Sequence, residues 1–189
     1  MRRSPRDRFR LEGAAPAADG RPRLRCPGLS PPLAVVLVEP EIPPNTGNVA
    51  RLCAATGSRL HLIEPLAFRI DARAVRRAGL DYWSAVDVIV HPTYAAFVGL
   101  HGGPAPLIFS ARSTRSYLEA PWAPGAALVF GRESTGLSDE FLARHGGDRV
   151  FGIPTSGPVR SLNLASAVAV ALYEALRVLG ALQPAVSAE

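Results

Sequence analysis

The run Leu33-Ala-Val-Val-Leu-Val38 is followed within two residues by Pro40-Glu-Ile-Pro-Pro-Asn-Thr-Gly-Asn-Val-Ala-Arg51. Six consecutive apolar residues, rich in valine and too short for a helix, read as a strand buried on both faces. The double proline turns the chain, and Asn45 is placed to cap a helix with its side-chain oxygen. Val49, Leu52, Cys53 and Thr56 then recur at helical spacing as an inward stripe. Asn48 and Arg51, three apart, share the opposite face. The strand's C-terminal end thus delivers an amide and an arginine to a helix entrance, at the edge where open α/β sheets bind ligands.

The same alternation runs through the chain. Strands are expected near 33–38, 59–63, 86–90, 107–110, 127–130 and 149–153, and helices near 47–56, 71–78, 92–100 and 138–144. A longer helix, about 161–179, carries a stripe of Leu162, Ala165, Val168/Ala169, Leu172, Leu176 and Leu179. Six strands interleaved with helices specify an α/β fold, a mostly parallel sheet with helices on both faces. No internal repeat or second domain is visible. Residues 33–180 read as one domain, after an Arg/Pro-rich extension (1–32) expected to be disordered and before a flexible C-terminal tail (181–189).

Charge divides by position. Residues 1–28 hold eight arginines against Asp7, Glu12 and Asp19, while the remaining body holds 13 arginines and 13 acids. The net charge of +5 therefore lies in the extension, and a nucleic-acid site in the body needs a local arginine cluster. All 21 basic residues are arginine. Without lysine there is no Walker A loop and no Schiff-base chemistry. Two cysteines, Cys26 and Cys53, make no disulfide framework. With no secretory signal and no apolar run long enough to span a bilayer, the expectation is a cytoplasmic protein without a membrane partner. The four histidines, 61, 91, 101 and 145, are dispersed, and no metal is expected.

Two further loops follow strands. Phe130-Gly-Arg-Glu-Ser-Thr-Gly-Leu137 presents Glu133 past a strand end, with Gly131 open to close ligand approach. The same residues also read as a glycine-flanked turn with a solvated carboxylate. Ile153-Pro-Thr-Ser-Gly-Pro-Val-Arg-Ser-Leu-Asn163 is fixed by two prolines and a glycine. Its Ser161 reads as the cap of the last helix, and Asn163 as a polar residue of the first turn. No GxSxG elbow, GxGxxG turn or metal spacing accompanies them, which disfavours hydrolases and dehydrogenases and leaves chemistry done by binding and positioning.

Together, NTGNVAR, FGRESTGL and IPTSGPVRSLNLASAVAVALYE resemble the three motifs of the SpoU/TrmH-type ribose 2′-O-methyltransferases of the SPOUT superfamily. The longer string VLVEPEIPPNTGNVARLCAATGSRLHLIEPL, followed by RRAGLDYW, is most similar to the TrmL branch, which methylates the wobble nucleotide of tRNA, cytidine(34) or a modified uridine(34). The resemblance covers roughly residues 33–180. It implies S-adenosyl-L-methionine bound in a C-terminal trefoil knot, a homodimer and a tRNA substrate.

Residue by residue, the resemblance implies cofactor contacts at Phe109, Gly131, Ile153, Ser161 and Leu162. It matches Glu133 and Asn163 to positions that shape the catalytic site, and Arg51 to the catalytic arginine. Asn48, Arg51 and Arg160, with Arg69, Arg73, Arg76 and Arg77, are candidates for RNA contact; the helical trio 73/76/77 reads equally as a solvated face. Motif two here has Glu-Ser-Thr-Gly-Leu-Ser where the branch often has Glu-Thr-Arg-Gly-Leu-Pro, and the loop after Phe109 lacks the usual lysine. These departures bear on substrate choice. A ribose methyltransferase for ribosomal RNA or another tRNA position, and a non-catalytic RNA-binding module, are the alternative readings.

Overall fold

The computed structural model describes Cys26, residues 28–68 and 86–182, and the backbone of Arg8–Phe9. The elements are β1 (Arg8–Phe9), β2 (Ala34–Val38), α1 (Pro43–Thr56), β3 (Arg59–Ile63), β4 (Val88–His91), α2 (Tyr94–His101), β5 (Leu107–Phe109), β6 (Ala127–Phe130), α3 (Asp139–His145), β7 (Val150–Phe151) and α4 (Leu164–Val178). The expected helix near 71–78 lies outside the described residues.

Six strands run parallel in the order β4-β3-β2-β6-β5-β7, and β1 pairs antiparallel with β4 at the edge. All six strands expected from the sequence are present. Alternate residues of each strand serve opposite faces, as the two-residue period requires. Val35 and Leu37 of β2 join Val49 and Cys53 of α1 and Val168, Leu172 and Leu176 of α4. Ala34, Val36 and Val38 join Tyr94 and Phe97 of α2, with Phe141 of α3 against them. A sheet buried on both faces explains why its strands read as continuous apolar runs.

Strand order reverses between β2 and β6. From β2 the chain first moves outward through β3 and β4, then returns to place β6 on β2's other side. The loops leaving β2 and β6 are therefore neighbours in space although about ninety residues apart in sequence.

Two helix starts differ from the sequence reading. α1 begins at Pro43, and its cap position is Ile42, whose side chain supplies no bond. Proline at the first helical positions has no N–H to satisfy and a φ already suited to the helix. Asn45 is therefore inside α1 and not its cap. Likewise α4 is capped by Asn163, whose Oδ1 accepts from the Ala165 N–H at 2.9 Å, and not by Ser161. The loop before it stays irregular through Leu162, which is exposed. The buried face of α4 is consequently Leu164, Val168, Ala171, Leu172, Ala175 and Leu176, about two residues out of step with the expected stripe at its start.

Candidate functional site

Where Ile42 offers α1 no side-chain cap, the β6 loop supplies one. Glu133 Oε2 accepts from the Glu41 N–H at 2.8 Å, and Oε1 accepts from the Ile42 N–H at 3.2 Å. Its position beside the helix start also suits a negative charge to the macrodipole. Oε1 takes a third bond, from Asn45 Nδ2 at 3.0 Å. The other end of that amide, Asn45 Oδ1, accepts from Asn163 Nδ2 at 3.0 Å. Asn45 is only 6% exposed. Buried amides need partners, and this one is satisfied by one residue from each of the other two motif loops. A single hydrogen-bonded chain, Glu133–Asn45–Asn163, therefore joins all three motifs.

The same two loops are fastened twice more. Glu41 answers Glu133 by accepting from Ser134: its N–H at 3.0 Å and its hydroxyl at 2.9 Å. Arg132 donates to Glu39 in an ion pair. Glu39 holds φ at +54°, a conformation that non-glycine residues seldom adopt. The Ser134–Glu41 bonds and the Arg132–Glu39 pair were not foreseen from sequence, because nothing in residue spacing reports adjacency across a strand-order reversal.

Gly131 has a structural reason to be glycine. A Cβ there would lie 2.4 Å from the backbone of Gly136 and Leu137, so the missing side chain lets the loop close on itself. Arg112, in the loop after β5, ties to the far end of this turn through the Leu137 carbonyl at 2.6 Å and through Asp139. Ser138 caps α3 by accepting from the Phe141 N–H at 3.1 Å.

The expected cofactor positions lie on three adjacent strands. Phe109 ends β5, Gly131 follows β6 and Ile153 stands two residues past β7. Phe109 packs face to face on Phe130, with ring centroids 4.8 Å apart, and on Trp122 at 6.1 Å. Trp122 has a buried indole N–H with no acceptor. Arg132 and Glu133 are turned to the β2 loop, and the Arg115 guanidinium lies over the Phe151 ring, 5.0 Å from its centroid. Ser161 and Leu162 are exposed just ahead of Asn163. Asn48 and Arg51 stand on the exposed face of α1, and Arg160 is exposed in the third loop. Arg69, Arg73, Arg76 and Arg77 lie outside the described residues.

The three motif loops coincide with a family match: the SpoU rRNA Methylase family profile covers residues 32–173. The chain belongs to this SpoU family. Among relatives, the tRNA (cytidine(34)-2′-O)-methyltransferase of Saccharophagus degradans is 46% identical over 146 residues, 77% of this chain and 95% of that protein. The enzyme of the same name from Escherichia coli K12 is 43% identical over 148 residues, covering 78% and 94%. A structure solved for insight into the 2-OH methylation of C/U34 on tRNA is 50% identical with a TM-score of 0.71, over 78% of this chain and 96% of that one. A Bacillus anthracis RNA methyltransferase superposes with a TM-score of 0.75 at 36% identity, covering 83% and 99%.

Proposed function

We propose that this SpoU-family chain is an S-adenosylmethionine-dependent RNA methyltransferase that methylates the ribose 2′-oxygen of tRNA nucleotide 34, a cytidine or a modified uridine. The observation that carries the reading is the Glu133–Asn45–Asn163 chain. It welds the three motifs into one preorganised unit, and relatives that cover most of this chain at 43–46% identity carry that activity in their names. An rRNA methyltransferase structure with bound AdoMet, from Sinorhizobium meliloti, shares the fold at 26% identity and a TM-score of 0.67.

The residues present suit S-adenosylmethionine. Its adenine is neutral and asks for apolar and main-chain contacts, which Phe109, Gly131 and Ile153 would give, with Ser161 and Leu162 over it. The unpartnered Trp122 N–H beside Phe109 offers a donor for an acceptor atom of the ligand. When bound, this group supplies an electrophilic methyl on a sulfonium that departs as a neutral thioether.

The protein's task is then to place a ribose hydroxyl and support the charge that grows on its oxygen. Arg51 is the group for it. A guanidinium keeps its proton at neutral pH, so Arg51 acts as a phosphate clamp and field source, binding the neighbouring phosphate through two N–H donors. The 2′-oxygen forms the new bond to carbon and its proton passes to water. Glu133 and Asn163 act by position: both are hydrogen-bonded into the loop frame. Asn48 and Arg160 extend the RNA-facing surface, with Arg73, Arg76 and Arg77 added from the segment outside the described residues.

Two copies are proposed to pair through the start and outer face of α4, where Val159, Leu162, Val170 and Tyr173 are exposed. Light scattering that gives a monomer mass at working concentration would overturn this. The return of α4 from the β7 edge to α1 is the path that a C-terminal knot would take. Among the described residues no helix is long and apolar enough to cross a membrane, consistent with work on tRNA in the cytoplasm.

The deciding experiment incubates the full chain with S-adenosylmethionine and unmodified tRNA, then maps 2′-O-methylation. Methyl on the ribose of nucleotide 34 is expected. Methyl elsewhere would move the substrate, and no methyl together with no calorimetric binding of S-adenosylmethionine would remove the enzyme reading.

A further inference from the structure

A second concave region lies on the α2 side of the sheet, and none of its lining belongs to the three motif loops. It encloses about 700 Å³, within the range of small-molecule sites. Pro31, Arg59, His61, His91, Phe97 and His101 line it. Among the described residues every ionisable side chain in that lining is basic, and no carboxylate contributes to it. Asp87 approaches Arg59 from β4's side, Nε to Oδ2 3.6 Å, and leaves the guanidinium half-exposed.

Two of the imidazoles form a unit. His61 Nδ1 and His91 Nε2 are 2.9 Å apart, their rings stack with centroids 5.1 Å apart, and both meet the edge or face of Phe97. His91 is 2% exposed and its Nδ1 is buried with no partner. Proton counting fixes what the pair presents. Two neutral imidazoles share one proton between them, so exactly one of the outer nitrogens, His61 Nε2 or His91 Nδ1, bears the other proton. Adding a proton makes both outer nitrogens donors and adds a positive charge. Among the described residues the other ionisable groups around the pair are Arg59 on β3, Asp87 before β4 and His101 on α2. Tyr94 and His145 lie beyond Phe97.

We propose that this cavity is a binding site for a small phosphate monoester, with its phosphoryl oxygens on Arg59 and the outer nitrogen of His61, which His91 backs, and its organic part against Phe97 and Pro31. A lining of one arginine and three imidazoles calls for an acceptor-rich anion. Binding takes up a proton, because the anion replaces the solvation that the buried imidazolium lacks. The metal alternative is poorly served, since the described residues hold no group of three or more metal-ligating side chains.

Calorimetry of the full chain with phenyl phosphate and with inorganic phosphate, at pH 6.0 and 7.5 in buffers of different ionisation enthalpy, tests this. Expected are one site per chain, tighter binding at pH 6.0, net proton uptake, and at least tenfold weaker binding in Arg59→Gln, an exposed position whose change leaves the core intact. His91→Asn should abolish proton uptake, and nitrogen NMR of the imidazoles should show the His91 Nδ1 signal moving on titration. No binding of either probe at 10 mM would overturn the proposal. Binding that survives Arg59→Gln, or that is lost instead in Arg51→Ala, would place the phosphate on the RNA-facing surface and overturn it equally.

Discussion

Glu41 and Ser134 hold each other across the β2–β6 boundary: the Glu41 carboxylate accepts from both the N–H and the hydroxyl of Ser134. Beside them, the Glu41 N–H donates to Glu133. The two loops are thus clamped in both directions. Ser134→Ala removes one of these bonds at an exposed position and should cost about 1 kcal/mol of stability. In a cycle with Glu41→Gln the two changes should be non-additive, measured by urea unfolding. Strictly additive effects would deny that the pair acts as a unit.

Asn45 tests the junction itself. Asn45→Ala leaves the Asn163 amide and one Glu133 oxygen short of a partner, and should lower stability by about 1–3 kcal/mol. Asn45→Asp keeps the shape but turns the donor facing Glu133 into a second carboxylate, so it should do at least as much harm at pH 7. Thermal unfolding of the two variants, with S-adenosylmethionine binding measured alongside, gives the comparison; an undisturbed N45D would refute the hydrogen-bond assignment.

Gly131→Ala places a methyl group 2.4 Å from main-chain atoms that have no room to give. The expected loss is about 3 kcal/mol or more. Gly136→Ala is strained for another reason, its φ of +69°, but has open space around it. It should therefore be the milder of the two, and a denaturant midpoint for each decides the order.

Arg51→Ala should reduce kcat about 100–1000-fold on saturating tRNA, the range for removing one group that stabilises developing charge. Because the proposed role is electrostatic, the defect should be constant from pH 6 to 9. Arg51→Lys should recover little, since a single ammonium cannot grip a phosphate bidentately. A defect that vanishes at high pH would point instead to proton abstraction.

Burial lowers His61 to about pH 3, and His91 and His101 are also held below the ordinary histidine value. An unfolded histidine takes its proton near pH 6.5. Between those limits the unfolded chain binds more protons than the folded one, so stability is complete above about pH 6.5 and falls as the pH drops toward 3. The slope contributed by one such group approaches about 1.4 kcal/mol per pH unit. Replacing the pair together, His61→Leu with His91→Leu, should flatten the curve between pH 6.5 and 4 in denaturant titrations.

The sheet was readable because each strand is buried on both faces and announces itself as an apolar run. Element ends were less so. Asn45 and Ser161 both have the side chains of helix caps, yet Pro43 and Asn163 set the starts, since proline at the first helical positions has no N–H to satisfy and Asn163 stands nearer the first helical turn. The site residues Asn45, Glu133 and Asn163 were each visible as polar residues at strand ends. Their mutual bonding was not, because it depends on β2 and β6 being neighbours, which no local pattern encodes. His61 and His91 looked dispersed for the same reason: they sit on adjacent strands, 30 residues apart.

The borrowed cap on α1 sets an order of assembly. The N–H groups of Glu41 and Ile42 find their acceptor 92 and 91 residues further along the chain. As the protein emerges during synthesis, the helix carrying Asn48 and Arg51 can coil early, yet its entrance stays unanchored until β6 has slotted in beside β2. Asn45 then waits longer still, for Asn163. The helix that carries Arg51 therefore has its entrance fully anchored only when nearly the whole domain exists.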